Sequence, residues 1–106
     1  MPRHEKLVRD GVPAHLARTG IAAVVRRLDP ADLPAALRAK LDEEIAELDA
    51  ATGTERIEEL ADILEVVLAI AASEGTGAAE LEAVRRRKAD ARGGFHEGAW
   101  LVSTQD

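Results

Sequence analysis

The sequence predicts an all-α fold, and three observations predict it. The 106 residues are rich in Ala, Leu, Glu and Arg, all strong helix formers. Apolar residues recur at helical spacing through long stretches on either side of residue 53. Short turns, Thr52-Gly53-Thr54 and Gly75-Thr76-Gly77, separate these stretches at intervals suited to helices.

Each element has its own local signal. Residues 8–18 suit a short helix, interrupted by Gly11 and Pro13. Residues 22–28 carry the adjacent β-branched pair Val24-Val25 and suit a short strand. Asp29 is a candidate N-cap with Pro30 at the first helical position, opening a helix over 30–51. Thr54 is the candidate N-cap of a second helix over 55–73, and a third helix spans 78–91 before Gly93-Gly94. Residues 99–102 suit a strand that pairs with 22–28. No repeat or linker divides the chain, so residues 1–106 read as one domain.

The composition excludes several functions. There is no cysteine, and so no disulfide framework, zinc–thiolate site or thiol nucleophile. A net charge of −6 argues against a nucleic-acid polymer as partner, because that binding draws on clustered Lys and Arg. Phe95 and Trp100 are the only aromatics, too few for a base-stacking platform. No apolar run approaches the roughly 18 residues of a membrane span, and the N-terminus lacks a signal-peptide core. The expectation is a soluble, cytoplasmic protein without a membrane partner.

The second long helix bears on assembly. Ile57, Leu60, Leu64, Val67 and Ala71 form one apolar stripe, and Ile63, Val66 and Ile70 form another. A helix apolar on two sides must be covered on two sides. One hairpin and one further helix supply too little cover, so a second copy is expected to complete a bundle across a two-fold axis. Dimer and tetramer remain equally open.

The chemistry lies in Glu43-Glu44-Ile45-Ala46-Glu47 and Glu58-Glu59-Leu60-Ala61-Asp62. Glu44 and Glu47 are three residues apart, as are Glu59 and Asp62, so each pair shares a helix face. Gly53 lies midway: Glu47 and Glu59 are each six residues from it, Glu44 and Asp62 each nine. At about 1.5 Å rise per residue, an antiparallel hairpin brings each of these pairs to one level. Glu44 falls within the stripe of Leu33, Leu37, Leu41, Ile45 and Leu48, and Glu59 falls in line with Ile63, Val66 and Ile70. Ordinary surface charge would sit opposite those stripes. Two carboxylates about 5 Å apart at an effective dielectric near 20 repel by roughly 3 kcal/mol. A hard divalent cation, Mg²⁺ or in its place Mn²⁺, suits such an all-oxygen site and commonly bridges to phosphates.

These motifs resemble the signature of the MazG-like, all-α nucleoside triphosphate pyrophosphohydrolases. Lys6-Leu7-Val8-Arg9-Asp10 with Pro13, and Lys88 with Arg92-Gly93-Gly94-Phe95, are similar to the two ends of a small phosphoribosyl-ATP pyrophosphohydrolase-like subgroup. Together the matches span most of the chain. One departure is Gly11-Val12, where the subgroup often carries Lys-Ile before the proline.

The resemblance implies that Glu44, Glu47, Glu59 and Asp62 hold Mg²⁺. It also implies that a triphosphate is cut between its α- and β-phosphates to give a monophosphate and pyrophosphate. Glu43, beside Glu44 and one turn from Glu47, is the candidate for activating the water. Arg85, Lys88 and Arg92 share a face of the third helix and are candidates for phosphate contact, although cations near a helix C-terminus also complement its dipole. Lys6 and Arg9 are further candidates to reach the triphosphate, Arg9 alternatively pairing with Asp10. Glu65 either joins the acidic site or pairs with an Arg. His4, His15 and His96 lack metal-ligand spacing and read as surface or packing residues, and Phe95 and Trp100 either border a base pocket or, as the leading reading, pack the C-terminal segment.

The leading expectation is a house-cleaning nucleotide pyrophosphohydrolase. Phosphoribosyl-ATP pyrophosphohydrolase of histidine biosynthesis is its close alternative. A non-catalytic helical module, sensing nucleotide or binding a partner, is the alternative from another class.

Overall fold

Prolines and glycines set the helix boundaries. The computed structural model describes residues 5–105, and these form four helices. They are α1 (Val12–Arg18), α2 (Leu33–Ala50), α3 (Glu55–Ser73) and α4 (Ala78–Arg92). Helix α1 begins after Gly11 with Pro13 in its first turn, so the sequence that precedes it from residue 8 is not helical. Helix α2 starts at Leu33 with Asp32 at the cap position, not at Pro30. The reason is Pro34. In a helix starting at residue 30, the missing Pro34 N–H would forfeit a hydrogen bond to the Pro30 carbonyl, whereas in the first turn it costs nothing. Asp29 instead closes a turn, its Oδ1 accepting from the Ala31 N–H at 2.9 Å.

Helices α2 and α3 form an antiparallel hairpin around Gly53, whose φ of 60° favours glycine. Thr54 occupies the cap position of α3 but makes no side-chain cap bond. The hairpin is clamped by Arg56, whose Nη1 donates to the carbonyls of Leu48 (2.7 Å) and Ala51 (3.3 Å). These are carbonyls at the end of α2; that of Leu48 also accepts from the Ala51 N–H at 3.2 Å, and Arg56 adds a second donor where the helical ladder runs out. Helix α4 returns against α3 and ends at Gly93, in the positive-φ conformation at 80°.

The core is small. Leu37, Val66 and Ala71 are its buried apolar residues among those described, with Glu44 buried beside them. Ile63 and Ile70 are half-buried in line with Val66, but Ile57, Leu60 and Leu64 lie exposed at 67%, 48% and 58%. The molecule measures 60 × 34 × 24 Å with a radius of gyration of 18.1 Å. A compact chain of this length has a radius near 13 Å. Its accessible surface is 9319 Å², against about 5,700 Å² for a compact monomer of this mass.

The expected β element does not form. Among the described residues there is no strand, and residues 22–28 and 99–102 are irregular. Val24, Trp100, Leu101 and Val102 are 79% exposed or more. A two-stranded ribbon is marginal in water without a surface to pack on, and these segments have none within the chain.

Candidate functional site

The hairpin brings the acidic motifs together. Glu44 sits on the buried side of α2, and Glu59 and Asp62 are half-buried on α3. Ligand-capable oxygens of Glu44, Glu59 and Asp62 lie within 4.8 Å of one another. Those of Glu43, Glu44 and Glu47 form a second such group, with Glu44 common to both. Glu47 is the principal charged neighbour of Glu59, as the mirrored spacing about Gly53 leads one to expect. His4 lies outside the described residues; His15 and His96 belong to neither acidic group.

The electrostatics of the cluster are unresolved within the chain. Glu44 Oε2 and Glu59 Oε2 are buried without a hydrogen-bond partner. Such atoms are uncommon in folded proteins, because loss of hydration is left uncompensated. The Glu59 carboxyl is pushed up to about 7, first by loss of hydration, then by the charge and hydrogen bond of Glu47, with Asp62 and Glu44 adding to it. A proton on Glu59 relieves the strain; a bound cation is the other remedy, and the all-carboxylate donor set fits a hard divalent ion.

Cations line the rim of the cluster. Arg9 donates from Nη2 to Asp62 Oδ1 at 2.5 Å and approaches Glu65 at 4.0 Å, instead of pairing with its neighbour Asp10. Lys6 Nζ stands 3.7 Å from Glu43 Oε1. Lys40 Nζ reaches Glu44 Oε1 at 3.2 Å and Glu43 Oε1 at 3.3 Å. Burial acts to lower the Lys40 ammonium, but its hydrogen bonds to Glu44 and Glu43, and their charges, leave it above the ordinary lysine value. The acidic motifs by themselves do not point to Lys40. Its signal was present: it precedes Glu43 by three residues and Glu44 by four, both contact spacings on a helix.

Beside the cluster runs an open groove of about 650 Å³. Leu7, Leu33, Leu37 and Val66 supply apolar wall, and Arg9, Asp10, Lys40, Glu44, Asp62 and Glu65 supply charged lining. No protein-family model, curated protein or solved structure matches the chain.

The basic residues of α4 are placed elsewhere. Arg85, Lys88 and Arg92 are exposed and do not line the groove. Arg85 is engaged by Glu82 on its own helix, at 2.8 and 2.5 Å. Arg92 and Phe95 border a separate recess formed by residues 92–99, and Phe95 is 99% exposed, so the C-terminal segment does not pack on its own chain.

Proposed function

We propose that this chain is a Mg²⁺-dependent, MazG-like nucleoside triphosphate pyrophosphohydrolase with a house-cleaning role. The observation that carries the reading is the pair of acidic groups, Glu43–Glu44–Glu47 and Glu44–Glu59–Asp62, that share Glu44, with Glu44 and Asp62 lining the groove and two buried carboxylate oxygens, Glu44 Oε2 and Glu59 Oε2, lacking partners. Glu44, Glu47, Glu59 and Asp62 would hold the ion or ions, Mg²⁺ or Mn²⁺. When bound, a divalent ion supplies charge neutralisation on the triphosphate and polarises the α-phosphate.

The chain's own residues do the rest. Glu43 takes the proton of the attacking water as the water oxygen bonds to the α-phosphorus and the bridge to the β-phosphate breaks. Pyrophosphate leaves and the monophosphate remains. Lys6 and Arg9, at the rim, exchange their carboxylate partners for β- and γ-phosphate oxygens, so their positive charge follows the negative charge that the reaction releases. Arg85, Lys88 and Arg92 take part only if a second copy presents them.

A homo-oligomer is part of the same proposal. The surface in excess of a compact monomer is about 3,600 Å², and Ile57, Leu60 and Leu64 are open to solvent. An obligate interface buries about 2,000–5,000 Å² in total, so the uncovered area is ample for one.

The test is pyrophosphate release from a panel of canonical and damaged nucleoside triphosphates and phosphoribosyl-ATP, with Mg²⁺ or EDTA. Metal-dependent pyrophosphate with a matching monophosphate is expected, and the preferred substrate separates house-cleaning from biosynthesis. No turnover, together with no thermal shift from Mg²⁺, would favour a non-catalytic helical module.

A further inference from the structure

We propose that Lys40 is a positioning residue that makes Glu44 a one-oxygen ligand and so biases the acidic centre toward Mg²⁺ and against Ca²⁺. The inference rests on the divalent-cation reading above and adds to it a determinant of ion choice.

The geometry is specific. Lys40 stands one turn before Glu44 on α2, and its side chain is only 17% exposed. Its ammonium holds Glu44 Oε1 at 3.2 Å and Glu43 Oε1 at 3.3 Å. The Glu44 side chain is itself 7% exposed, and its second oxygen, Oε2, is buried without a partner. One oxygen of this carboxylate is therefore committed and the other is free. Because the helix fixes the spacing of residues 40, 43 and 44, the commitment does not depend on a flexible loop.

Ion chemistry turns that division into selectivity. Ca²⁺ takes six to eight oxygens at long, adaptable distances and often binds a carboxylate through both oxygens. Mg²⁺ requires a near-octahedral shell, takes carboxylates through one oxygen and keeps several waters. Bidentate binding by Glu44 would place the ion on Oε1 beside the Lys40 ammonium that already holds it, so repulsion between the two cations disfavours it, whereas binding through Oε2 alone keeps them apart. The cost falls on Ca²⁺ and not on Mg²⁺. Groups that orient ligands in this way typically alter metal affinity by about 10–100-fold.

Calorimetric titration of the full chain with MgCl₂ and with CaCl₂ tests the proposal. In Lys40→Met, which keeps the apolar stem, the preference for Mg²⁺ over Ca²⁺ should shrink by roughly tenfold. Lys40→Arg, which keeps a cation on Glu44, should retain most of the preference. Lys40→Gln carries the same expectation as Lys40→Met should the latter fold poorly. Equal strengthening of both ions in Lys40→Met would overturn the proposal, because removal of one positive charge explains it without any positioning. A wild-type chain that binds neither ion would overturn the metal reading itself, and this inference with it.

Discussion

Arg9 and Asp62, separated by 53 positions in sequence, are joined by a 2.5 Å hydrogen bond between guanidinium and carboxylate. The contact fastens the segment before α1 to the middle of α3 and places a cation at the mouth of the acidic cluster. The two side chains are 56% and 36% exposed, so the pair contributes at most about 1 kcal/mol to stability. Arg9→Ala should therefore lower the melting temperature by no more than roughly 4–8 °C. If Arg9 turns to phosphate in the substrate complex, kcat/KM should fall by at least about tenfold, the loss of a charge-assisted hydrogen bond of about 1.5 kcal/mol or more. Unchanged kinetics would confine Arg9 to a structural role.

Glu44→Gln keeps the shape of the side chain and removes its charge. Glu44 belongs to both acidic groups, so Mg²⁺-dependent pyrophosphate release should fall by about a hundredfold or more. Asp62→Asn should do the same. Retention of full activity in either variant would remove that residue from the ligand set.

Glu59 gives the metal-free protein a pH dependence of defined sign. Its folded-state value of about 7 lies above the ordinary 4.5. Between those values the folded chain holds a proton that the unfolded chain has lost. The contribution of this group is thus fully present below about pH 4.5 and is lost as pH rises through about 7. In EDTA, melting temperatures of the wild type should decline across that window relative to Glu59→Gln. Mg²⁺ should suppress the decline by neutralising the ionised cluster. Parallel curves for the two proteins would show that Glu59 titrates normally.

The exposed stripe on α3 makes a prediction about assembly. Sedimentation equilibrium of the wild type should give a multiple of the chain mass. Leu60→Glu or Leu64→Glu, each placing a charge on that stripe, should release monomers of lower stability, since burial of an unpaired charge is costly. A wild type that sediments as a monomer would reject the assembly.

Much of the fold was legible from local chemistry. The turn at Gly53, the stripes of α3 and the glycine after α4 place three helices to within a few residues, because each signal acts within a turn or two of its own position. Helix α2 starts three residues later than its first cap signal implies, because Asp29-Pro30 carries the same signal as Asp32-Leu33-Pro34 and only the second proline's missing donor separates them. The β element failed for a different reason. The β-branched Val24-Val25 states a propensity, but a strand needs a partner and a surface, and propensity supplies neither.

The candidate site divides along the same line. Mirrored spacing about Gly53 was sufficient to bring Glu44, Glu47, Glu59 and Asp62 to matching levels, because helical rise and a tight turn convert residue number directly into position. Which cations meet that cluster was decided by the tertiary structure alone. Arg9 bypasses Asp10 for Asp62, Lys40 divides the oxygens of Glu44, and the basic face of α4 stays away from the groove. Long flexible side chains choose partners by what the packed backbone brings within about 4 Å, and that distance is set by how helices and segments meet, not by periodicity along any one of them.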